Sequence, residues 1–394
     1  MRPESGIIAL VLVLASLESS AATLQVGPGR PFITLASAIG SARDGDVIEI
    51  DSGVYRDQVV TVTQNELTIH GAEGRSHFRW TKGNIPNGKG ILLVRGTGVT
   101  IENLEISGAR VDDGNGSGIR VEPNANVTLR NCYVHDNENG LLTSNDGVSS
   151  IVIENSEFDH NGAGDGYTHN MYIGAIANFT LRFSYSHRAI AGHNVKSRAK
   201  KNFIAYNRIM DEAEGNSSYL IDIPDGGETY IIGNLLQKGV RAENTTLVSY
   251  GAESLGKAGR QNIIYVVNNT FVNEYGPKAN FVFLRAGTSA AEFMNNIFSG
   301  PGKMASSSGG SNFWKSTTNL KLDGDPGFRS LAAYDYRLTS SATGAIDKGT
   351  PPGMPNGVNL VPNFQYGHPL KGVPRPIRGS GIDIGAYEYE ADIP

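Results

Sequence analysis

The sequence predicts an all-β chain wound into a parallel β-helix, and three observations carry that expectation. The first is a repeat. Eight segments of one pattern close at Asn103, Asn131, Asn155, Phe183, Asn207, Asn234, Asn269 and Asn296, at successive spacings of 28, 24, 28, 24, 27, 35 and 27 residues. The second is an aliphatic stack two positions earlier: Ile101, Leu129, Ile153, Leu181, Ala205, Ile232, Val267 and Met294. The third is glycine, 49 of 394 residues, well above the usual share of about 7%. That richness favours many turns over long helices. A coil of this length holds three short strands and three bends, and coils stack at the interstrand spacing of about 4.8 Å. Asn suits a bend because it tolerates the left-handed conformation, and its amide can bond the Asn above and below. A β-sandwich turns every ~8–12 residues and would show no such long period.

The elements follow in order. Arg2, an apolar run over residues 7–17 and the small residues Ser20-Ala21-Ala22 read as an export signal spanning residues 1–22. The run is too short to cross a bilayer, so the chain is expected to be secreted or periplasmic, with no membrane insertion. Leu35, Ala38, Ile39 and Ala42 have helical spacing, and strand-like stretches follow at 47–50 and 59–62. A helix there would plug the open end of the solenoid, which otherwise exposes core and unpaired strand edges. This opening resembles the N-terminal cap of secreted right-handed parallel β-helix proteins, the pectate-lyase-like superfamily. The solenoid with its helical cap is expected over residues 23–300. Beyond it, Asp325-Pro326-Gly327-Phe328, Tyr336-Arg337-Leu338 and the closing Ile382-Asp383-Ile384 resemble the irregular C-terminal cover of many such proteins, so 301–394 is expected to seal the solenoid.

Bulk numbers exclude several classes. A formal net charge of −5 leaves no basic domain for nucleic acid. One cysteine, Cys132, rules out internal disulfides and a Cys-based zinc site. It follows Asn131 in an inward slot and reads as buried filler.

Function points to residues 165–228. Residues 166–210 hold seven Lys/Arg, three His and no acid; residues 211–228 then hold six acids and no base. Two matching tetrads, His169-Asn170-Met171-Tyr172 and His193-Asn194-Val195-Lys196, sit one repeat apart. Each coil has a second strand upstream of its anchor. Alternation puts Ile119, Val121, Met171, Ile173, Val195, Ile221 and Ile223 inside. Arg120, Asn170, Tyr172, Asn194, Lys196, Arg198 and Asp222 then face outward. Tyr172, Lys196 and Asp222 fall on adjacent rungs, about 5 Å apart.

A uronic-acid polysaccharide matches such a row, and the chain is expected to act on it as a monomer. Cleavage by β-elimination needs a cation on the sugar carboxylate, a base for the adjacent C–H and an acid for the leaving oxygen. Lys196 is the first candidate base and His193 the second; Tyr172 or His169 is the acid, and Arg198 neutralises the carboxylate. Asn170, Asn194, Arg120 and Asp222 are candidate substrate contacts. Crowding by Arg198, Lys200 and Lys201 would favour the neutral, proton-accepting form of Lys196. His169, His193, Asn170 and Asn194 read equally well as stacked bend residues.

Asn194-Val195-Lys196-Ser197 resembles the Asn-x-Lys-Ser segment of the chondroitinase B and alginate lyase family. The resemblance implies that Lys196 abstracts the proton; only Lys196 and Ser197 carry over. Where that family has Leu-Arg-His-Gly on the next coil, this chain has Leu220-Ile221-Asp222-Ile223. The assisting Arg is absent there, and its role would pass to Arg198, Tyr172 or a His. In the family a calcium held by Asn and Glu neutralises the carboxylate. No cofactor or metal site is assigned from this sequence. Calcium is the ion that Asp222, Asp225 and Glu228, with Asp211, Glu212 and Glu214 nearby, could hold. Three alternatives stay open: a glycoside hydrolase using Asp222 and Asp225, a uronate epimerase, and a carbohydrate-binding envelope protein without catalysis.

Overall fold

The computed structural model describes residues 21–256, 259–309 and 313–391. The expected export signal lies outside them except for Ala21 and Ala22. Three long parallel sheets make a β-solenoid. Sheet A has twelve strands, from Thr23–Val26 to Lys315–Thr317; sheet B has eleven, from Gly53–Arg56 to Leu320–Leu322; sheet C has ten, from Val60–Val62 to Lys303–Ser307. One coil visits C, A and B in turn, as in Met171–Ile173, Asn178–Arg182 and Tyr185–His187, before Val195–Ser197 opens the next. The core is the column of inward aliphatics, with Ile101, Leu129, Ile153, Leu181 and Ile204 all fully buried. Stacking extends one coil past the expected boundary at residue 300, since strands over 303–322 join all three sheets.

The corner between sheets A and B corrects the predicted alignment. Its left-handed residues include Asn103, Asn131, Asn155, Phe183, Tyr206, Asn268 and Asn295, all with φ between 50° and 60°, with Gly233 at 64° between Tyr206 and Asn268. The inner position one residue later is a separate column: Ser156, Ser184, Asn207, Asn234, Asn269 and Asn296, each buried. Pairing sets Leu181 against Ile204 and Arg182 against Ala205, so the expected register slips by one from Asn207 onward. Ala205, Ile232, Val267 and Met294 therefore leave the core stack. They point outward with Tyr206, Tyr230 and Tyr265, and Leu360 of the C-terminal segment packs on them.

Two elements pack against the three sheets. Helix α1, Leu35–Ser41, is N-capped by Thr34, whose side chain accepts from Ser37 N, and buries Leu35, Ala38 and Ile39. It packs on Thr23–Val26 and Val60–Val62, the end strands of sheets A and C. The C-terminal segment lies over the A–B corner. Asn155 Nδ2 donates to Leu370 O at 2.7 Å, Asn268 Nδ2 to Asp383 O at 2.8 Å, and Phe364 meets Phe183 edge-on. Cys132 is free and buried, and burial pushes its thiol up to about 11.

Candidate functional site

Sheet C carries the predicted row. Strand pairing aligns Arg120, Leu142, Tyr172, Lys196, Asp222 and Ser249 on successive rungs. Alternation turns this column away from the core, while Met171, Val195 and Ile221 fill the interior. A groove of about 580 Å³ runs along it, lined by Leu142, Tyr167, His169, Tyr172, Lys196, Arg198 and Glu253. A larger cleft of about 800 Å³ lies in the C-terminal cover between Arg329, Asp347, Arg378 and Asp383; it gathers none of the row's residues.

Lys196 and Arg198 are neighbours on one face because they are two residues apart on an extended chain. Lys196 Nζ stands 5.2 Å over the Tyr172 ring, 4.0 Å from Asp222 Oδ2 and 3.6 Å from Glu253 Oε1. Arg198 donates from Nε to Tyr172 Oη at 3.0 Å, from Nη1 to Asp225 Oδ1 at 2.9 Å and from Nη2 to Glu253 Oε2 at 2.6 Å. Burial opposes the Arg198 charge, but the bonds to Glu253 and Tyr172 outweigh it and hold the guanidinium above its ordinary range. Lys200 and Lys201 do not crowd Lys196 as expected: Lys200 Nζ donates to Gly147 O at 3.0 Å, and Lys201 pairs with Glu228 at 3.1 Å.

Glu253 is the group the sequence reading missed. It sits in the inserted loop that stretches one repeat to 35 residues, and that long spacing was its only signal. Arg260 in the same loop ties it down, donating to Ala199 O at 3.0 Å and to Arg198 O. Tyr167, 82% exposed at the groove's rim, was missed as well.

The two histidines are stacked, ring centroids 4.5 Å apart, and nearly inaccessible. His169 Nδ1 accepts the backbone N–H of His193 at 3.0 Å, and His193 Nδ1 accepts that of Tyr219 at 3.2 Å. Each Nδ1 therefore carries a lone pair, which puts the proton of the neutral ring on Nε2. Burial, then the nearby Lys196 charge, pushes His169 down to about 3. Burial, then the His169 ring and the Lys196 charge beside it, push His193 well below its usual value. Neither ring has a free lone pair to act as a base, and a neutral imidazole is too weak an acid to protonate a leaving oxygen. The base role given to His193 and the acid role given to His169 are corrected accordingly. His169 Nε2 has no hydrogen-bond partner among the described residues and is itself buried behind the groove lining.

Three substrate contacts are corrected too. Asn170 and Asn194 are fully buried, because the strands begin one residue later, at Met171 and Val195. They form an internal amide ladder: Asn161 Nδ2 to Asn170 Oδ1 at 3.0 Å, then Asn170 Nδ2 to Asn194 Oδ1 at 3.1 Å. Arg120 lies two rungs from Tyr172 with Leu142 between, outside the groove lining, and pairs with Glu122 at 3.4 Å.

The acids are dispersed among cations. Asp222 Oδ2 lies 3.6 Å from His193 Nε2 as well as near Lys196, and burial pushes the carboxyl up to about 6 against the pull of Lys196. Asp225 binds Arg198, Glu228 binds Lys201, Asp211 lies 3.8 Å from Lys238, and Glu212 pairs with Arg188 at 3.5 Å. The carboxylates expected to hold calcium thus face cations of the protein instead of one another. The residues present do not fit a calcium site, and Lys196 and Arg198 are the cations that line the groove. The same dispersal leaves Asp222 and Asp225 with separate partners rather than a shared hydrolytic centre.

The fold has known relatives. The pectate lyase Pel9A matches with a TM-score of 0.63 at 15% identity, over 94% of this chain and 97% of that one. An alginate lyase from Paenibacillus sp. str. FPU-7 matches at 0.53 and 17% identity, over 75% of this chain and 99% of that one. A pectin methylesterase from Aspergillus niger matches at 0.37 and 12% identity, over 77% and 86%, a likeness too loose to carry weight. The first two establish a pectate-lyase-like right-handed parallel β-helix. No family model matches the chain, and no curated protein does.

Proposed function

We propose that this chain is an exported enzyme that cleaves a uronate-containing polysaccharide by β-elimination. One observation carries the reading. Lys196 and Arg198 share a single carboxylate, that of Glu253, with the Tyr172 hydroxyl 3.0 Å from Arg198 Nε. That is a carboxylate subsite with a base and an acid beside it.

In the proposed reaction the sugar carboxylate replaces Glu253 on Arg198. The guanidinium stabilises the negative charge that develops as the adjacent C–H is broken. Lys196, in its neutral form, takes the proton. The C–H electron pair forms the new C=C bond, the glycosidic C–O bond breaks, and its pair leaves on oxygen. Tyr172 gives the leaving oxygen its proton. Asp222 positions the Lys196 ammonium between turnovers. Tyr167 supplies an exposed ring on which a pyranose face can stack. The lyase names of the two fold relatives are consistent with this chemistry, and no helix among the described residues is long and apolar enough to cross a membrane.

The test is a panel of uronate polymers followed by ultraviolet absorbance of the unsaturated product. The expected result is rising absorbance on at least one polymer. New reducing ends without absorbance would overturn elimination in favour of hydrolysis. Binding without any reaction would overturn catalysis altogether.

A further inference from the structure

On sheet B, far round the coil from the groove, three successive rungs bring together His77, Glu105 and His135. Their strands are Ser76–Arg79, Leu104–Ser107 and Tyr133–His135. His77 Nδ1 lies 3.1 Å from Glu105 Oε1, and His135 Nε2 lies 3.2 Å from the same oxygen. One ligand atom from each residue falls within 4.8 Å of the others. Zinc–nitrogen and zinc–oxygen bonds of about 2.0–2.1 Å separate neighbouring tetrahedral ligands by about 3.3 Å. The contacts of Glu105 Oε1 with His77 Nδ1 and His135 Nε2 already have that spacing.

We propose that His77, Glu105 and His135 bind a divalent transition cation of the zinc class. The outer contacts are those a metal-bound imidazole needs, since a ligating His donates its other ring N–H to an acceptor. His135 Nδ1 faces Asp136 Oδ2 at 2.6 Å, and His77 Nε2 faces Ser107 Oγ at 2.8 Å. A carboxylate has no proton to give, so His135 Nδ1 keeps its N–H on Asp136, and a cation would take the place of the proton that Nε2 turns toward Glu105 Oε1. Tyr133 stacks on the His135 ring at 4.2 Å and fixes its plane. The three ligand side chains are 14–27% exposed, which leaves room for water to complete the coordination. Two imidazoles and one carboxylate select zinc-like ions over calcium, a hard cation that prefers all-oxygen shells. The ion staples three coils near the N-terminal end, independently of any reaction in the groove.

The full chain, stripped with chelator, is titrated with Zn²⁺ by calorimetry and with Co²⁺ by visible absorption. The expected result is one tight equivalent, a Co²⁺ spectrum of low coordination number and a Tm raised by Zn²⁺. His77→Ala and His135→Ala should each weaken binding at least about a hundredfold, and Asp136→Asn, a positioning change, about ten- to hundredfold. Conservative His135→Gln, checked by circular dichroism, separates lost metal from lost fold. Lys196→Ala should leave the stoichiometry unchanged. Zn²⁺ binding that survives in His77→Ala and His135→Ala, or Ca²⁺ binding as tightly as Zn²⁺, would overturn the proposal; so would no Zn²⁺ binding by the unaltered chain.

Discussion

Glu253 Oε2 lies 2.6 Å from Arg198 Nη2 while its Oε1 lies 3.6 Å from Lys196 Nζ, so one side chain occupies the place that the proposed reaction gives to a uronate carboxylate. Substrate must displace it. Glu253 is half exposed, and pairs of that kind are worth roughly 1 kcal/mol or less, about fivefold in affinity. Glu253→Gln should therefore tighten the binding of uronate oligomers by up to about fivefold, more at low than at high ionic strength, with kcat kept. Oligomer titrations at two salt concentrations check this. Weaker binding in the variant would make Glu253 a substrate contact instead of a placeholder.

Lys196 can serve as base only if it can lose its proton. Arginine keeps the charge but stays protonated. Both Lys196→Ala and Lys196→Arg should then lower kcat by about 10²–10⁴-fold, while Lys196→Arg keeps most of the affinity for the polymer. The comparison separates proton transfer from simple charge. If Lys196→Arg retains more than about a tenth of the rate, the base lies elsewhere.

The buried His169 makes stability depend on pH with a definite sign. Its folded value, about 3, lies below the unfolded value of about 6.5. A depressed group contributes stability above the unfolded value and loses it as pH falls toward the folded one. The protein should therefore lose stability between about pH 6.5 and pH 3, and His169→Gln, whose amide oxygen can still accept the His193 N–H, should flatten part of that loss. At about 1.4 kcal/mol per unit the difference is a few kcal/mol at the acid end. Thermal unfolding of both proteins across that window decides it; parallel curves would refute the assignment.

The fold was legible because each coil repeats the same local problem, and a period of that length leaves a trace in any single sequence. Register was less legible. Two adjacent columns at the A–B corner both accept Asn for different reasons, one for left-handed backbone and one for buried amide bonding. Where Phe183 and Tyr206 replaced Asn in the first column, the alignment stepped into the second at Asn207. At the site, alternation placed Tyr172, Lys196 and Asp222 on neighbouring rungs, and strand pairing agrees. It failed for Asn170 and Asn194 because alternation holds only inside a strand, and both precede the first strand residue. Glu253 reaches the groove from another coil through an insertion, and strand periodicity carries no information about where a loop folds back.

The inner amide column should matter most to stability. Asn234 Oδ1 accepts from Asn207 N at 3.0 Å and Asn207 Nδ2 at 2.9 Å, and its Nδ2 donates to Ile204 O at 2.8 Å and Asn269 Oδ1 at 3.0 Å. All four bonds are buried, where no water can replace a lost partner. Removing one partner from such a network leaves several groups unsatisfied, at about 1–3 kcal/mol each, so Asn234→Ala should cost about 3–5 kcal/mol in denaturant unfolding. Asn126 also bonds the coil below it, to Thr97 Oγ1 at 3.0 Å, but it is solvent-exposed. Water takes the place of its partner, and Asn126→Ala should change stability by about 0.5 kcal/mol or less. Equal costs for the two variants would mean that the buried column, despite its length, does not hold the coils together.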